Sequence, residues 1–211
     1  MLETAFTAFV TFFVILDPPG TAAVFAAMTR NLAEPHRRVM ARRATVMASS
    51  MLFAFAVFGK PLLAAMGIGL PAFRIGGGLL LFLLAADMVF ARQSGLRSTT
   101  PVEDEEAAAR EDITVFPLAF PLIAGPGAMT SVVLMMGRAD GDPWAVVTVL
   151  ATLALVMAIL LLMLFSAGRL LRVLGITGAH VVGRVLGIIL AALAAQFVLD
   201  GVLQAMPALG K

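Results

Sequence analysis

The sequence contains no cysteine, which excludes disulfide bonds, thiolate nucleophiles and cysteine-ligated zinc sites. Charge is scarce as well: Asp, Glu, Lys and Arg make up 13% of the 211 residues, whereas a soluble domain carries about 25%. Hydrophobic residues make up 61%, and the mean hydropathy is +1.00. This composition predicts a protein whose surface faces lipid rather than water.

Motifs for catalysis and metal binding are also lacking. The chain has no H-E-x-x-H motif, no G-x-x-x-x-G-K-[ST] nucleotide-binding loop, and no Ser-His or Cys-His constellation. Its two histidines, His36 and His180, have no Asp, Glu or Cys at metal-ligand spacing. We therefore expect no enzyme, no ATP-driven transport by this chain alone, no metal and no cofactor.

Long apolar runs are what the sequence has instead. A helix rises about 1.5 Å per residue, so roughly 20 apolar residues cross a hydrocarbon core of about 30 Å. Six stretches are long enough: 4–28, 44–66, 71–91, 113–137, 143–168 and 178–206. They lack the ten-residue alternation of a barrel, and backbone groups in lipid must pair within their own segment. The sequence therefore predicts an all-α membrane protein with six transmembrane helices.

Basic residues divide unevenly between the two sides that six crossings create. Eleven lie on one side and four on the other. The richer side has Arg30, Arg37, Arg38, Arg42, Arg43, Arg92, Arg97, Arg110, Arg169, Arg172 and Arg184, and the poorer side has Lys60, Arg74, Arg138 and Lys211. Cytoplasmic loops carry the excess of Lys and Arg, so we expect the richer side to face the cytoplasm and both termini to lie outside. The arginines form no broad basic face, so no nucleic-acid partner is expected.

A charged linker, 92–112, separates two halves that resemble each other, 1–91 and 113–211. A shift of 107 positions, or about 110 for the last helix of each half, aligns their motifs. The aligned motifs are Pro19-Gly20 with Pro126-Gly127, and Arg74-x-x-Gly77 with Arg184-x-x-Gly187. Each half has three crossings, an odd number, so the second must enter the membrane from the opposite side. We expect two inverted three-helix repeats, an arrangement typical of transporters.

Helix-breaking residues lie near the middle of the first and fourth stretches, at 17–20 (DPPG) and 124–127 (AGPG). Proline lacks an N–H and glycine relaxes the backbone, so each helix should break near the membrane midplane. Unpaired backbone groups at such depth are tolerated only around an enclosed or water-filled cavity, which predicts a binding site. Half-helix N-termini suit a carboxylate and C-termini a cation, so a small zwitterion fits both. The candidate substrate-binding residues are Asp17, Pro19, Gly20, Thr21, Gly125, Pro126, Gly127, Ala128 and Thr130, with Ser131 as a further donor nearby.

Asp17 breaks the symmetry of the two motifs, because its counterpart is Ala124. A carboxylate at this depth costs at least about 2.5 kcal/mol. Two roles stay open: an N-cap for the next half-helix, or a ligand for the substrate amine or the coupling ion. If Asp17 fills its own helix terminus, a substrate carboxylate should prefer the vacant terminus at 125–128.

Other polar residues and glycines receive structural interpretations. Asp87 and Asp200 lie near helix ends, which favours an interfacial, structural role over a proton relay. Five glycines are expected to pack helices closely together: Gly76, Gly77, Gly78, Gly183 and Gly187.

Three motifs together resemble the MarC family: DPPG at 17–20, PAFRIGGGLLL at 71–81 and PLAFPLIAGPGAMT at 117–130. The resemblance extends over essentially the whole chain. It implies a multi-pass plasma-membrane protein of bacteria or archaea, and some members of the family transport neutral amino acids such as glycine or alanine. It also implies that the two break motifs form the backbone of the substrate site. The family often has Asn where this sequence has Asp17.

We therefore expect a secondary transporter of small neutral amino acids, coupled to protons or sodium, in which one repeat rocks against the other. The alternative is a channel, or an accessory membrane protein for an unidentified small solute or partner. The expected partners are the amino acid, H+ or Na+ at Asp17, and the lipid bilayer. Homo-oligomerisation is left open.

Overall fold

The structure is a computed structural model that describes residues 1–30, 32–90 and 113–209. These residues form helices joined by short turns and include no β-strand. The helices are α1 (Leu2–Leu16), α2 (Pro18–Met28), α3 (Glu34–Ala65), α4 (Leu70–Phe90), α5 (Thr114–Ile123), α6 (Pro126–Arg138), α7 (Pro143–Phe165) and α8 (Ala167–Leu209). The linker predicted at 92–112 lies outside the described residues.

Five helical stretches are long and apolar enough to cross a bilayer, and a sixth is added if the bent pair α5 and α6 counts as one crossing. The five are Leu2–Met28, Glu34–Ala65, Leu70–Phe90, Pro143–Phe165 and Val181–Met206. The prediction of an all-helical membrane protein is thus confirmed for the part of the chain that the structure describes.

α3 and α8 begin earlier than predicted, because both start with polar turns that a hydropathy window ignores. α3 starts at Glu34, whose carboxylate pairs with Arg37 at 3.6 Å and with Arg38 at 3.7 Å, at the i,i+3 and i,i+4 spacings of a helix. α8 starts at Ala167 and changes direction at Gly175, where φ is 65°. Arginines assigned to loops by the sequence therefore lie on helices.

α4 and α8 form the most extensive helix pair and run antiparallel. A Cβ added to Gly78 would stand 2.9 Å from the carbonyl oxygen of Ala194, and one added to Gly187 would stand 3.1 Å from the carbonyl oxygen of Ala85. The two backbones touch only because these glycines have no side chain. The predicted packing role is therefore confirmed for Gly78 and Gly187.

The other three glycines that were predicted to pack helices together differ in their contacts. A Cβ at Gly77 would stand 2.2 Å from Cγ2 of Thr130, so Gly77 packs α4 against α6. Gly76 and Gly183 have no atom of the described residues within 4 Å of that position, and for them the prediction is wrong. The three consecutive glycines of α4 point in different directions, since each residue turns a helix by about 100°.

Ionic and polar contacts collect at two opposite ends of the bundle. At one end Lys60 pairs with Asp140 and Arg138 pairs with Asp200. We call this the Arg138 end. At the other end Arg37 Nε donates to Thr29 Oγ1 at 3.0 Å and joins the start of α3 to the end of α2.

Candidate functional site

The first helix is interrupted at Asp17, between α1 and α2. Asp17 adopts left-handed backbone angles, φ 41° and ψ 66°, which among non-glycine residues only Asn and Asp visit routinely. Its N–H donates to Phe13 O at 3.0 Å and closes α1. The same residue therefore ends one helix and begins the next.

The N-terminus of α2 is closed by Asp17 itself. Pro18 and Pro19 have no N–H, Gly20 N–H donates to Asp17 Oδ1 at 3.0 Å, and Thr21 N–H donates to Asp17 O at 2.9 Å. A Cβ at Gly20 would stand 2.1 Å from Asp17 Oδ2, so only glycine leaves room for the carboxylate. The cap role proposed for Asp17 is confirmed, and α2 keeps no N-terminal amide for an anion.

Thr21 also serves the interruption. Its hydroxyl is fully buried and donates to Leu16 O at 2.9 Å, which satisfies a carbonyl at the end of α1. Its predicted role as a substrate donor stays a prediction, and in the described conformation that proton is already committed.

The second interruption begins further upstream than the sequence predicted. Phe116 and Phe120 within α5 have extended angles, with ψ of 128° and 132°. Each precedes a proline, and the proline ring disfavours helical angles at the residue before it. Two backbone hydrogen bonds across this segment join residues five positions apart, one more than in an α-helix. Leu118 N–H donates to Ile113 O, and Ala124 N–H donates to Ala119 O. The repeated Phe-Pro pair was the sequence signal for this irregular segment.

α6 begins at Pro126 after Gly125, and the axes of α5 and α6 differ by 51°. Within the described residues no side chain caps this N-terminus. Met129 N–H donates to Gly125 O at 3.0 Å, which leaves the amides of Gly127 and Ala128 as the open donors of the first turn. The two interruptions thus differ: one terminus carries its own carboxylate and the other has none.

The remaining predicted residues lie in tight packing around α6. A Cβ at Gly127 would stand 2.9 Å from Leu84 Cδ2, so Gly127 lets α6 approach α4. Thr130 is buried with its methyl group against Gly77, and the hydroxyl of Ser131 donates to Ala128 O at 2.8 Å. The structure brings α1 against α6 and α2 against α5, with residues 17–19 and 127–128 buried.

A shallow groove of about 630 Å³ lies away from both interruptions, between the start of α1 and α7. It is lined by Leu2, Glu3, Ala5, Phe6, Phe9, Thr152 and Leu155. This mostly apolar lining suits contact with hydrocarbon and offers little to a zwitterion.

Replacing Asp17 separates its cap role from its charge. We expect Asp17→Ala to lower the thermal midpoint by roughly 3 to 10 °C, because it loses a cap of about 0.5–2 kcal/mol and leaves alanine in left-handed angles at a cost of about 1–2 kcal/mol. Asp17→Asn keeps an acceptor oxygen and tolerates those angles, so we expect a midpoint close to that of the wild type. Equal losses in the two variants, measured in the same detergent, would contradict the cap role.

Comparison with known proteins adds to this geometry. The family model described as MarC family integral membrane protein matches residues 2–206. A UPF0056 membrane protein of Archaeoglobus fulgidus is 36% identical over 200 residues, which cover 95% of this chain and 92% of that protein. A relative in Methanocaldococcus jannaschii is 37% identical over 203 residues (95% and 97%), and the UPF0056 membrane protein YhcE of Escherichia coli is 31% identical over 208 residues (97% and 94%). No solved structure matches the chain.

Proposed function

The chain belongs to the MarC family of integral membrane proteins, and we propose that it is a secondary transporter of small neutral amino acids. The observation that carries the proposal is the contrast between the capped N-terminus of α2 and the uncapped N-terminus of α6. An amino acid brings one carboxylate and one ammonium group. We infer that its carboxylate binds the open amides of Gly127 and Ala128.

Reciprocal packing supports two inverted repeats. Gly187 lies 109 residues after Gly78, and Ala194 lies 109 residues after Ala85. Gly78 contacts Ala194, and the equivalent residues in the other half, Gly187 and Ala85, make the same contact. The helix contacts follow the same rule, with α1 to α4 of the first half equivalent to α5 to α8 of the second. The contact of α1 with α7 is equivalent to that of α5 with α3, and the contact of α2 with α8 is equivalent to that of α6 with α4. Such exchange is expected of two copies of one unit related by a two-fold axis in the membrane plane.

The movement for alternating access needs a different division from the one the sequence suggested. α3 packs on α5, α6 and α7 of the other half, and α2 packs on α7 and α8. Rocking residues 1–91 against 113–211 as rigid bodies would break most of this interface. We propose instead that each moving body combines corresponding helices of both halves, with α4 and α8 together in one of them.

Coupling to protons or sodium is assigned to Asp17 in this proposal. Its side chain is 4% exposed, at the point where α1 ends and its carbonyl groups point toward α2. A buried carboxylate beside helix C-terminal carbonyls suits a small cation. We propose the plasma membrane as the location, with both termini outside, because the end opposite the Arg138 end carries the excess of basic residues that is typical of a cytoplasmic side.

Counterflow in proteoliposomes tests the transport proposal. Vesicles loaded with unlabelled alanine should transiently accumulate labelled alanine above its equilibrium level, because a carrier exchanges substrate across alternating states. A channel lets solute equilibrate without this overshoot, and an accessory protein gives no specific flux. Empty liposomes supply the baseline.

The same vesicles test ion coupling. We expect uptake to respond to a proton or sodium gradient in the wild type and to lose that response in Asp17→Asn, while counterflow without a gradient persists. A correctly inserted protein that shows no counterflow with glycine, alanine or other small neutral amino acids would overturn the proposal.

A further inference from the structure

A second polar cluster lies at the Arg138 end, where α4, α6 and α8 meet. Arg138 on α6 pairs with Asp200 on α8, and Gln196 donates to the other carboxylate oxygen of Asp200 at 2.7 Å. The guanidinium of Arg138 also lies over the ring of Phe197, 4.8 Å from its centroid. Both oxygens of Asp200 are therefore engaged.

Arg74 on α4 is the third charged side chain of this cluster, and its Nε forms no hydrogen bond with the other members. Its side chain is 5% exposed, and its Nε has no hydrogen-bond partner among the described residues. Arg138 and Asp200 are the charged groups that act on it. The three side chains carry two positive charges and one negative charge, so the cluster has a net positive charge and a buried guanidinium edge without an acceptor.

Gly201 lets Arg74 lie this close to α8. A Cβ at position 201 would stand 2.9 Å from Pro71 O and 3.1 Å from Arg74 Cβ. The arginine is therefore enclosed by two tightly packed helices and does not lie along an exposed surface.

Arg74 lies on the path from the Arg138 end to the N-terminus of α6. Along α4 it falls between Leu70, which packs on Gly137, and Gly77, which packs on Thr130. Leu81, which packs on Gly127 at the start of α6, lies about 10 Å further along the helix. α4 and α6 are in contact in this conformation, so a ligand that entered between them would have to separate them, and it would meet Arg74 before it reached the open amides.

We propose that Arg74 forms an entry site for a carboxylate, which binds the Nε edge of its guanidinium. A carboxylate fits this edge because the planar guanidinium presents two parallel N–H donors to two oxygens. The ligand class rests on the proposed function: the carboxylate is that of the amino acid on its way to Gly127 and Ala128. Asp200 and Gln196 hold Arg138 in place, whereas the Nε of Arg74 has no acceptor among the described residues.

Carboxylate binding is testable without transport. We expect sodium acetate to raise the thermal midpoint of purified wild-type protein in a saturable way, whereas equal concentrations of acetamide or sodium chloride do not. Arg74→Gln should weaken the apparent acetate affinity about tenfold to a hundredfold, as expected for the loss of charged hydrogen bonds. Arg74→Lys keeps the charge without the planar fork and should fall between the two.

Arg184→Gln is the matched control. The Arg-x-x-Gly motif aligns Arg184 with Arg74, although the packing offset of 109 residues pairs Arg74 with Gly183; Arg184 is exposed, so its loss should leave acetate binding unchanged. If Arg74→Gln does not yield folded protein, Arg74→Lys and the comparison of acetate with acetamide carry the test. An equal response to acetate and acetamide, or unchanged acetate affinity in Arg74→Lys, would overturn the proposal.

A lipid phosphate is the competing source of the anion. Nanodiscs of phosphatidylcholine and nanodiscs containing phosphatidylglycerol separate the two: we expect the acetate response in both, and its disappearance in phosphatidylglycerol would assign the site to lipid and overturn the proposal. The outcome is independent of counterflow. Arg74-dependent acetate binding without counterflow would support this site and contradict the transporter proposal. Counterflow without Arg74-dependent acetate binding would contradict only the entry site.

Discussion

Gly125→Asp is expected to weaken amino-acid transport while leaving the protein more stable than Gly125→Ala. Gly125 is the N-cap residue of α6, with φ −73° and ψ 172°, angles that aspartate adopts without strain at this position. The new carboxylate would accept from the amides of Gly127 or Ala128, as the Asp17 carboxylate accepts from Gly20. The protein would thus occupy its own proposed substrate site.

The size of the effect follows from capping energies. A carboxylate cap stabilises a helix by about 0.5–2 kcal/mol relative to alanine at the same position, and a substrate must displace it. At the upper end we expect KM to rise about 30-fold, with a thermal midpoint roughly 4 to 8 °C above that of Gly125→Ala. A midpoint above that of Gly125→Ala accompanied by a lower affinity separates competition from simple damage, since damage lowers both.

Gly125→Ala is the control for this variant, because it adds the Cβ without the carboxylate. Any loss caused by crowding at this buried position should appear in both variants, so Gly125→Asp should be the more stable of the two. Counterflow and thermal midpoints measured on both proteins decide the matter. Unchanged KM in a stabilised Gly125→Asp protein would mean that the amides of α6 do not bind the substrate.

The two interruptions show what a sequence can predict about a broken helix. Proline and glycine locate the breaks, since each changes the backbone at a defined residue. Whether Asp17 caps α2 depends on its left-handed angles and on the 3.0 Å contact with Gly20, which a motif alone does not determine. The irregular course of α5 was accessible from Phe116-Pro117 and Phe120-Pro121, but the apolar character of the stretch concealed it.

Contacts between distant segments were beyond the reach of sequence patterns. Arg74, Arg138 and Asp200 come from three helices, and nothing in their spacing indicates that they meet. The interleaving of the two halves is a similar case, because a repeat in sequence does not say whether its copies stand side by side or pack through each other. Hydropathy located the apolar centres of α3 and α8 and missed their arginine-containing first turns, which other helices and ion pairs support.

Gly78→Leu should lower the stability of the protein strongly, because it separates α4 from α8. The added side chain would begin 2.9 Å from Ala194 O and 3.1 Å from Val198 N, and backbone atoms cannot rotate away as a side chain can. Overpacking of this kind costs about 1–3 kcal/mol or more, so we expect a midpoint lower by roughly 2 to 12 °C.

Gly76→Leu supplies a control on the same helix, two residues away. Its Cβ would have no atom of the described residues within 4 Å, and leucine at an exposed position of an apolar helix is favourable in lipid. Helix propensity and hydrophobicity change equally in the two variants, so the difference between their midpoints isolates the α4–α8 contact. Because that contact also carries the two-fold exchange between Gly78 and Gly187, Gly187→Leu should repeat the loss and Gly183→Leu should repeat the control. Matching losses on both helices would support the inverted repeat independently of any transport assay, whereas a tolerated Gly187→Leu would argue against it.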